Sequence, residues 1–140
     1  MYTILFNKDK QLVQTQRIPL YEGERNLTTL RFLIPAELEG EDAGEFRVIL
    51  RYQLPNGKKY VVNLKKDENM YGEFYSYTMP VSQNFTEEPG LILYTLTFIK
   101  PEGEEMPVIY KSSEDYIEIR KREDLEMEAA NLVWEADVSL

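Results

Sequence analysis

Four carboxylates crowd one short stretch: Glu37, Glu39, Glu41 and Asp42. Hard cations such as Ca²⁺ take oxygen ligands from flexible loops, so this is where a metal would first be sought. The spacing lacks the Asp-x-Asp-x-Asp-Gly run of an EF-hand, and a solvated acidic loop is the better reading. Asp42, Glu45 and Glu73 could in principle pair as acid and nucleophile of a glycosidase. With 25 Asp and Glu in the chain, any such pair can be drawn without meaning. Histidine and cysteine are absent. The commonest general base, the thiolate nucleophile and the usual transition-metal ligands are therefore missing together, and no Ser-His-Asp or Cys-His arrangement can form. The residues point to a non-enzymatic protein with no catalytic, cofactor-binding or metal-ligating set.

Two other groups of residues could recognise something. Tyr71, Tyr75 and Tyr77 recur at alternate positions and could stack on sugar rings, with Tyr52 and Tyr60 possible companions. The same spacing serves cross-strand packing, because tyrosine is a good strand residue. Near the C-terminus, Leu125, Leu132, Val133, Trp134 and Val138 form an apolar set around the one tryptophan. Such a segment can dock on a partner or seed an oligomer. It can also pack back on its own sheet and cover an edge.

The elements that would position these residues read as strands. Glu45 to Leu64 holds two β-branched and aromatic runs around Asn56-Gly57, which predicts a hairpin with a type I′ turn. Phe46, Val48, Leu50 and Tyr52 alternate with Arg47, Ile49, Arg51 and Gln53, so one face is built for a core. Tyr2–Phe6, Gln11–Ile18, Leu27–Ile34, Tyr71–Met79 and Leu91–Ile99 read as further strands, with Val108–Tyr110 and Tyr116–Ile119 as short ones. Leu30, Phe32 and Ile34 are the better core face of their run. Pro19, Pro35, Pro80 and Pro101 punctuate the pattern. About seven to nine short strands at this spacing predict an all-β, antiparallel sandwich over residues 1–120. Residues 121–140 form a separate amphipathic segment. Their apolar positions fit a helix from about Arg122 to Glu135, but the last nine residues also alternate as a strand.

Composition limits the partners. The formal net charge is −9, which repels phosphate backbones and anionic membranes. No apolar run nears the roughly 20 residues of a spanning helix. The N-terminus lacks the basic and small-residue features of a signal peptide. Neither nucleic acid nor membrane is expected as a partner.

The order of short motifs is also informative. Arg17-Ile18-Pro19 precedes Gly23-Glu24, then Thr28-Thr29-Leu30-Arg31-Phe32-Leu33-Ile34-Pro35, Arg51-Tyr52-Gln53-Leu54-Pro55-Asn56-Gly57, Tyr75-Ser76-Tyr77-Thr78-Met79-Pro80, and Gly90 to Phe98. Over Tyr2 to Ile119 this resembles the N-terminal immunoglobulin-like domain of phage baseplate upper proteins, found in tailed phages and prophages of Gram-positive bacteria. The resemblance implies an immunoglobulin-like sandwich that serves as a structural module of the virion tail, assembled in the bacterial cytoplasm. It implies contacts with other baseplate and tail proteins, homo-oligomerisation, and no catalytic residues. The terminal segment is where a continuation or partner would join. The alternative is a carbohydrate-binding sandwich that uses Tyr71, Tyr75 and Tyr77.

Overall fold

A computed structural model describes residues 1–25, 28–103 and 105–123. The expected terminal helix and the residues Leu125, Leu132, Val133, Trp134 and Val138 fall outside or mostly outside that set. The strands in chain order are β1 (Tyr2–Phe6), β2 (Leu12–Gln16), β3 (Leu20–Tyr21), β4 (Thr29–Pro35), β5 (Glu37–Leu38), β6 (Glu41–Asp42), β7 (Arg47–Gln53), β8 (Lys59–Leu64), β9 (Phe74–Pro80), β10 (Gly90–Glu102), β11 (Glu105–Lys111) and β12 (Asp115–Arg120). The fold is an all-β sandwich. The smaller sheet has the order β2-β1-β4-β9 and the larger β3-β12-β10-β7-β8, with β11 also on β10.

Inward-facing alternation builds the core as the sequence predicts. Ile4, Leu30, Phe32 and Ile34 of the smaller sheet are fully buried, as are Ile92, Leu96 and Phe98 of the larger. Rings join the layers: Phe6 lies 4.8 Å from Phe98, and Phe32 lies 6.4 Å from Tyr94 edge-on. Phe85, from the loop after β9, inserts under Tyr52 at 5.1 Å and closes one end. That loop is held by the Thr86 hydroxyl, which donates to the Glu24 carbonyl, and by the Gly23 N–H, which donates to the Thr86 carbonyl at 2.8 Å.

The pairing is mostly antiparallel. Two pairs are parallel, β1 with β4 and β3 with β12, where the number and spacing of short strands predict an antiparallel sandwich. Side-chain alternation reports which face is buried and is blind to the direction of the neighbour. The connections decide direction here: the chain leaves β1, crosses through β2 and β3, and returns to β1's far side as β4.

The central hairpin corrects one expectation. A two-residue turn at Asn56-Gly57 would be closed by Pro55 and Lys58, and Pro55 has no N–H to give. The turn forms one residue earlier. Gly57 N–H donates to Leu54 O at 2.9 Å, Pro55 and Asn56 take the two central places, and Gly57 adopts φ +90°. Proline's fixed φ favours this type I turn with a left-handed glycine after it. The double positive-φ turn occurs instead between β5 and β6, at Glu39 (φ 50°) and Gly40 (φ 81°), inside the stretch read as an acidic loop.

Tyr71 also departs from expectation. Tyr71 and Phe74 exchange backbone hydrogen bonds of 2.9 and 3.0 Å around Gly72 (φ 59°), so Tyr71 sits in a tight turn and β9 begins at Phe74.

Candidate functional site

Two regions bring polar or exposed apolar groups together. The first is a groove of about 470 Å³ between β2 and β12, bordered by Arg17, Ile18, Glu118 and Arg120. Gln14 is its pivot. Its Oε1 accepts from the Tyr2 hydroxyl at 2.6 Å. Its Nε2 donates to Asp115 Oδ2 at 3.0 Å, to the Tyr116 carbonyl at 2.6 Å and, more distantly, to the Tyr94 hydroxyl at 3.5 Å. The Tyr94 hydroxyl donates to the same Asp115 oxygen at 2.7 Å. Burial, then the bond to Asp115, push the Tyr94 phenol far above its ordinary range; burial also raises Tyr2. These groups satisfy one another, and a phenol held protonated is neither base nor nucleophile at neutral pH. The cluster ties the edge strand of the smaller sheet to β10 and β12 of the larger. It is a clasp between layers.

The acidic stretch is likewise used internally. Asp42 Oδ1 accepts from Gly44 N–H and from the Tyr75 hydroxyl, both at 2.8 Å. The backbone bond, then the phenol bond, hold the Asp42 carboxyl below the usual carboxylate range. The bond to Asp42 raises the Tyr75 phenol in turn. Glu41 and Glu45 both reach Lys100 Nζ, at 3.0 and 2.9 Å, and push its ammonium above the ordinary lysine range. Glu37 and Glu39 point into solvent, and Glu73 lies in the turn before β9. No cluster of three acidic side chains fit to hold a metal ion occurs among the described residues.

The three tyrosines do not share one exposed face. Tyr77 is buried in the core, 2% exposed, and burial raises its phenol to about 12. Tyr75 is half-buried on that same inner side, over Gly44. Tyr71 is exposed beyond the smaller sheet, with the Arg31 guanidinium 4.1 Å from its ring centre. Tyr52 and Tyr60 stack at 5.1 Å.

The second region is the outer face of the larger sheet. Register places Leu91, Leu93, Thr95, Thr97 and Ile99 of β10 along its middle, with Ile49 on β7 and Val61 on β8. Ile109 and Tyr116 flank them from β11 and β12. Val61, Ile109 and Tyr116 are 61%, 60% and 56% exposed. A shallow depression of about 320 Å³ lies among Arg51, Gln53, Lys59, Val61, Leu93 and Thr95. Further along β10, beyond the depression, the Thr97 hydroxyl is buried with no hydrogen-bond partner among the described residues. Sequence reading missed this surface. Alternation left the outward residues of the hairpin to water or a second layer and singled out none of Ile49, Val61, Leu93 and Ile99 as a recognition surface.

No family model matches the chain, and no curated protein matches it. Among solved structures it is similar to the N-terminal domain of phage TP901-1 ORF48, with 10% identity, coverage of 86% of this chain and 96% of that one, and a TM-score of 0.47.

Proposed function

We propose that this chain is a non-enzymatic, immunoglobulin-like structural module of a phage or prophage tail baseplate, acting through protein–protein contacts and located in the virion tail. The observation that carries the reading is the outer face of the larger sheet, which leaves Val61, Ile109, Tyr116 and Leu91 about half exposed or more in one layer. An apolar patch bordered by charge is the usual mark of an interaction site. Gln14, Tyr94 and Asp115 at the groove, and Asp42, Glu41 and Glu45 by the acidic stretch, are engaged in holding the fold, which fits a scaffold better than a catalyst. The motif order in the sequence supplies the tail context. Leu125, Leu132, Val133, Trp134 and Val138 are the proposed partner-binding residues of the C-terminal segment, and the assembly partners are other tail proteins, with neither nucleic acid nor membrane involved.

Co-expression with the proteins encoded beside it, followed by size-exclusion chromatography, tests the reading. A stable complex is expected, and Leu132→Asp with Trp134→Asp should dissolve it. Failure of every neighbour to co-elute would count against it. A glycan array tests the sugar-binding alternative, which requires binding by the wild type that Tyr75→Ala removes.

A further inference from the structure

Most of the charged side chains described on the larger sheet's outer face are cations. Arg47 and Arg51 point outward from β7, Lys59 from β8 and Lys111 from β11. All four are exposed, and none makes an ion pair or side-chain hydrogen bond among the described residues. The bordering carboxylates are Glu114, at the edge of the depression, and Glu118, 3.8 Å from Arg120 Nε. A chain with a net charge of −9 therefore places four cations that have no partner among the described residues around an exposed apolar surface. Cations around an apolar centre select an apolar segment that carries carboxylates.

The sequence contains one such segment. Residues 124–140 carry Asp124, Glu126, Glu128, Glu135 and Asp137 and no Lys or Arg. Between these acids lie Leu125, Leu132, Val133, Trp134 and Val138. Seventeen residues span about 25 Å as a helix, and the face runs about 27 Å along β10 from Leu91 to Ile99 at the usual strand rise.

The described chain ends at Glu123, on the side of the sheet away from most of these cations. Arg122 N–H donates to the Glu22 carboxylate at 2.9 Å, and Gly23 lies close against the Arg122 guanidinium. The exit is thus at the β3 edge, across the sheet from β7 and β8, which carry Arg47, Arg51 and Lys59. The same segment of another molecule can reach β7 and β8 without crossing the sheet from the β3 edge.

We infer that the outer face of the larger sheet is the docking site for the acidic C-terminal segment, residues 124–140, of a second copy of this chain. This rests on the assembly reading above and names one of its partners. Two faces cannot meet each other directly, since four unpaired cations would oppose four. Exchange of termini brings opposite charges together instead, and reciprocal exchange closes a two-fold dimer.

Complementary charge reversal in the full-length chain tests the inference by sedimentation velocity. One variant carries Arg47→Glu, Arg51→Glu and Lys111→Glu; the other carries Glu126→Lys, Glu128→Lys, Glu135→Lys and Asp137→Lys. The wild type is expected to dimerise, with an association constant that falls as salt rises. Each variant alone should lose at least tenfold in that constant, while circular dichroism shows it folded. An equimolar mixture of the two should regain the dimer, which misfolding could not produce. Dimerisation that both variants leave intact, or a mixture that stays monomeric, overturns the inference and leaves assembly with other tail proteins standing. So does a wild type that is monomeric at every concentration while its Val61 and Ile109 methyl resonances shift when residues 124–140 are removed, because the segment would then cover its own face. Binding of a 20-base-pair DNA duplex that the face variant abolishes would also overturn it, by assigning the cations to phosphate.

Discussion

The clasp at Gln14 makes a quantitative prediction about what holds the two layers together. Tyr94→Phe keeps the ring, which is 2% exposed and packs edge-on against Phe32, and removes only the hydroxyl. That hydroxyl gives Asp115 a 2.7 Å hydrogen bond. A bond to a charged acceptor contributes about 1.5–3 kcal/mol net, and the half-exposed Asp115 places this one near about 1.5 kcal/mol. For a domain of this size that corresponds to a fall in Tm of roughly 5 °C. Asp115→Ala should cost more, about 2–3 kcal/mol, because it strands the buried Tyr94 hydroxyl with only Gln14 at 3.5 Å. Once Tyr94 is already Phe, the same Asp115→Ala change should cost about 1 kcal/mol less. Urea unfolding of the wild type, both single variants and the double variant measures all three quantities. A Tyr94→Phe cost under about 0.5 kcal/mol, or strictly additive losses, would refute the idea that these groups act as one clasp.

Other positions carry predictions of their own. Gly90 sits at φ +130° where a Cβ would come within 2.9 Å of Pro55 Cγ, so Gly90→Ala should destabilise by about 1–3 kcal/mol in urea melts. Glu39 occupies a positive φ in the β5–β6 turn, and Glu39→Asn should stabilise by about 0.5–1 kcal/mol, read the same way. Asp42 has a depressed carboxyl, so its contribution to stability is present above the unfolded carboxylate value near about pH 4 and is lost as pH falls through the lower folded value. NMR titration should place it below the ordinary aspartate value, and Tyr75→Phe should move it upward. Tyr77 is raised to about 12, so folding is favoured fully below the unfolded phenol value and that advantage disappears as pH rises towards 12. Absorbance at about 295 nm, where tyrosinate absorbs, should show Tyr77 and Tyr94 ionising together with loss of the fold.

The layers were legible because burial writes itself into every second residue. Leu30, Phe32 and Ile34 were placed correctly on that ground alone, as were Val48, Leu50 and Tyr52. Strand direction was not, because a parallel and an antiparallel neighbour bury the same alternate residues. The central turn was misread because Asn56-Gly57 was weighed without Pro55, whose missing N–H forbids the shorter hairpin. Tyr71 and Tyr77 look equivalent at a spacing of two, yet Gly72 turns the chain between them and sends one ring outward. The basic face was the least legible feature. Its four cations lie on three strands that only the fold brings side by side, whereas the net charge of the whole chain points the other way.

The most direct test of the assembly role is quantitative mass spectrometry, with cryo-electron microscopy, of tail particles from the phage or induced prophage that encodes this chain. The account predicts the chain as a stoichiometric component of the tail tip, with density for a two-layered β-sandwich in contact with neighbouring subunits. Intact, infectious tails that lack the chain altogether would contradict it.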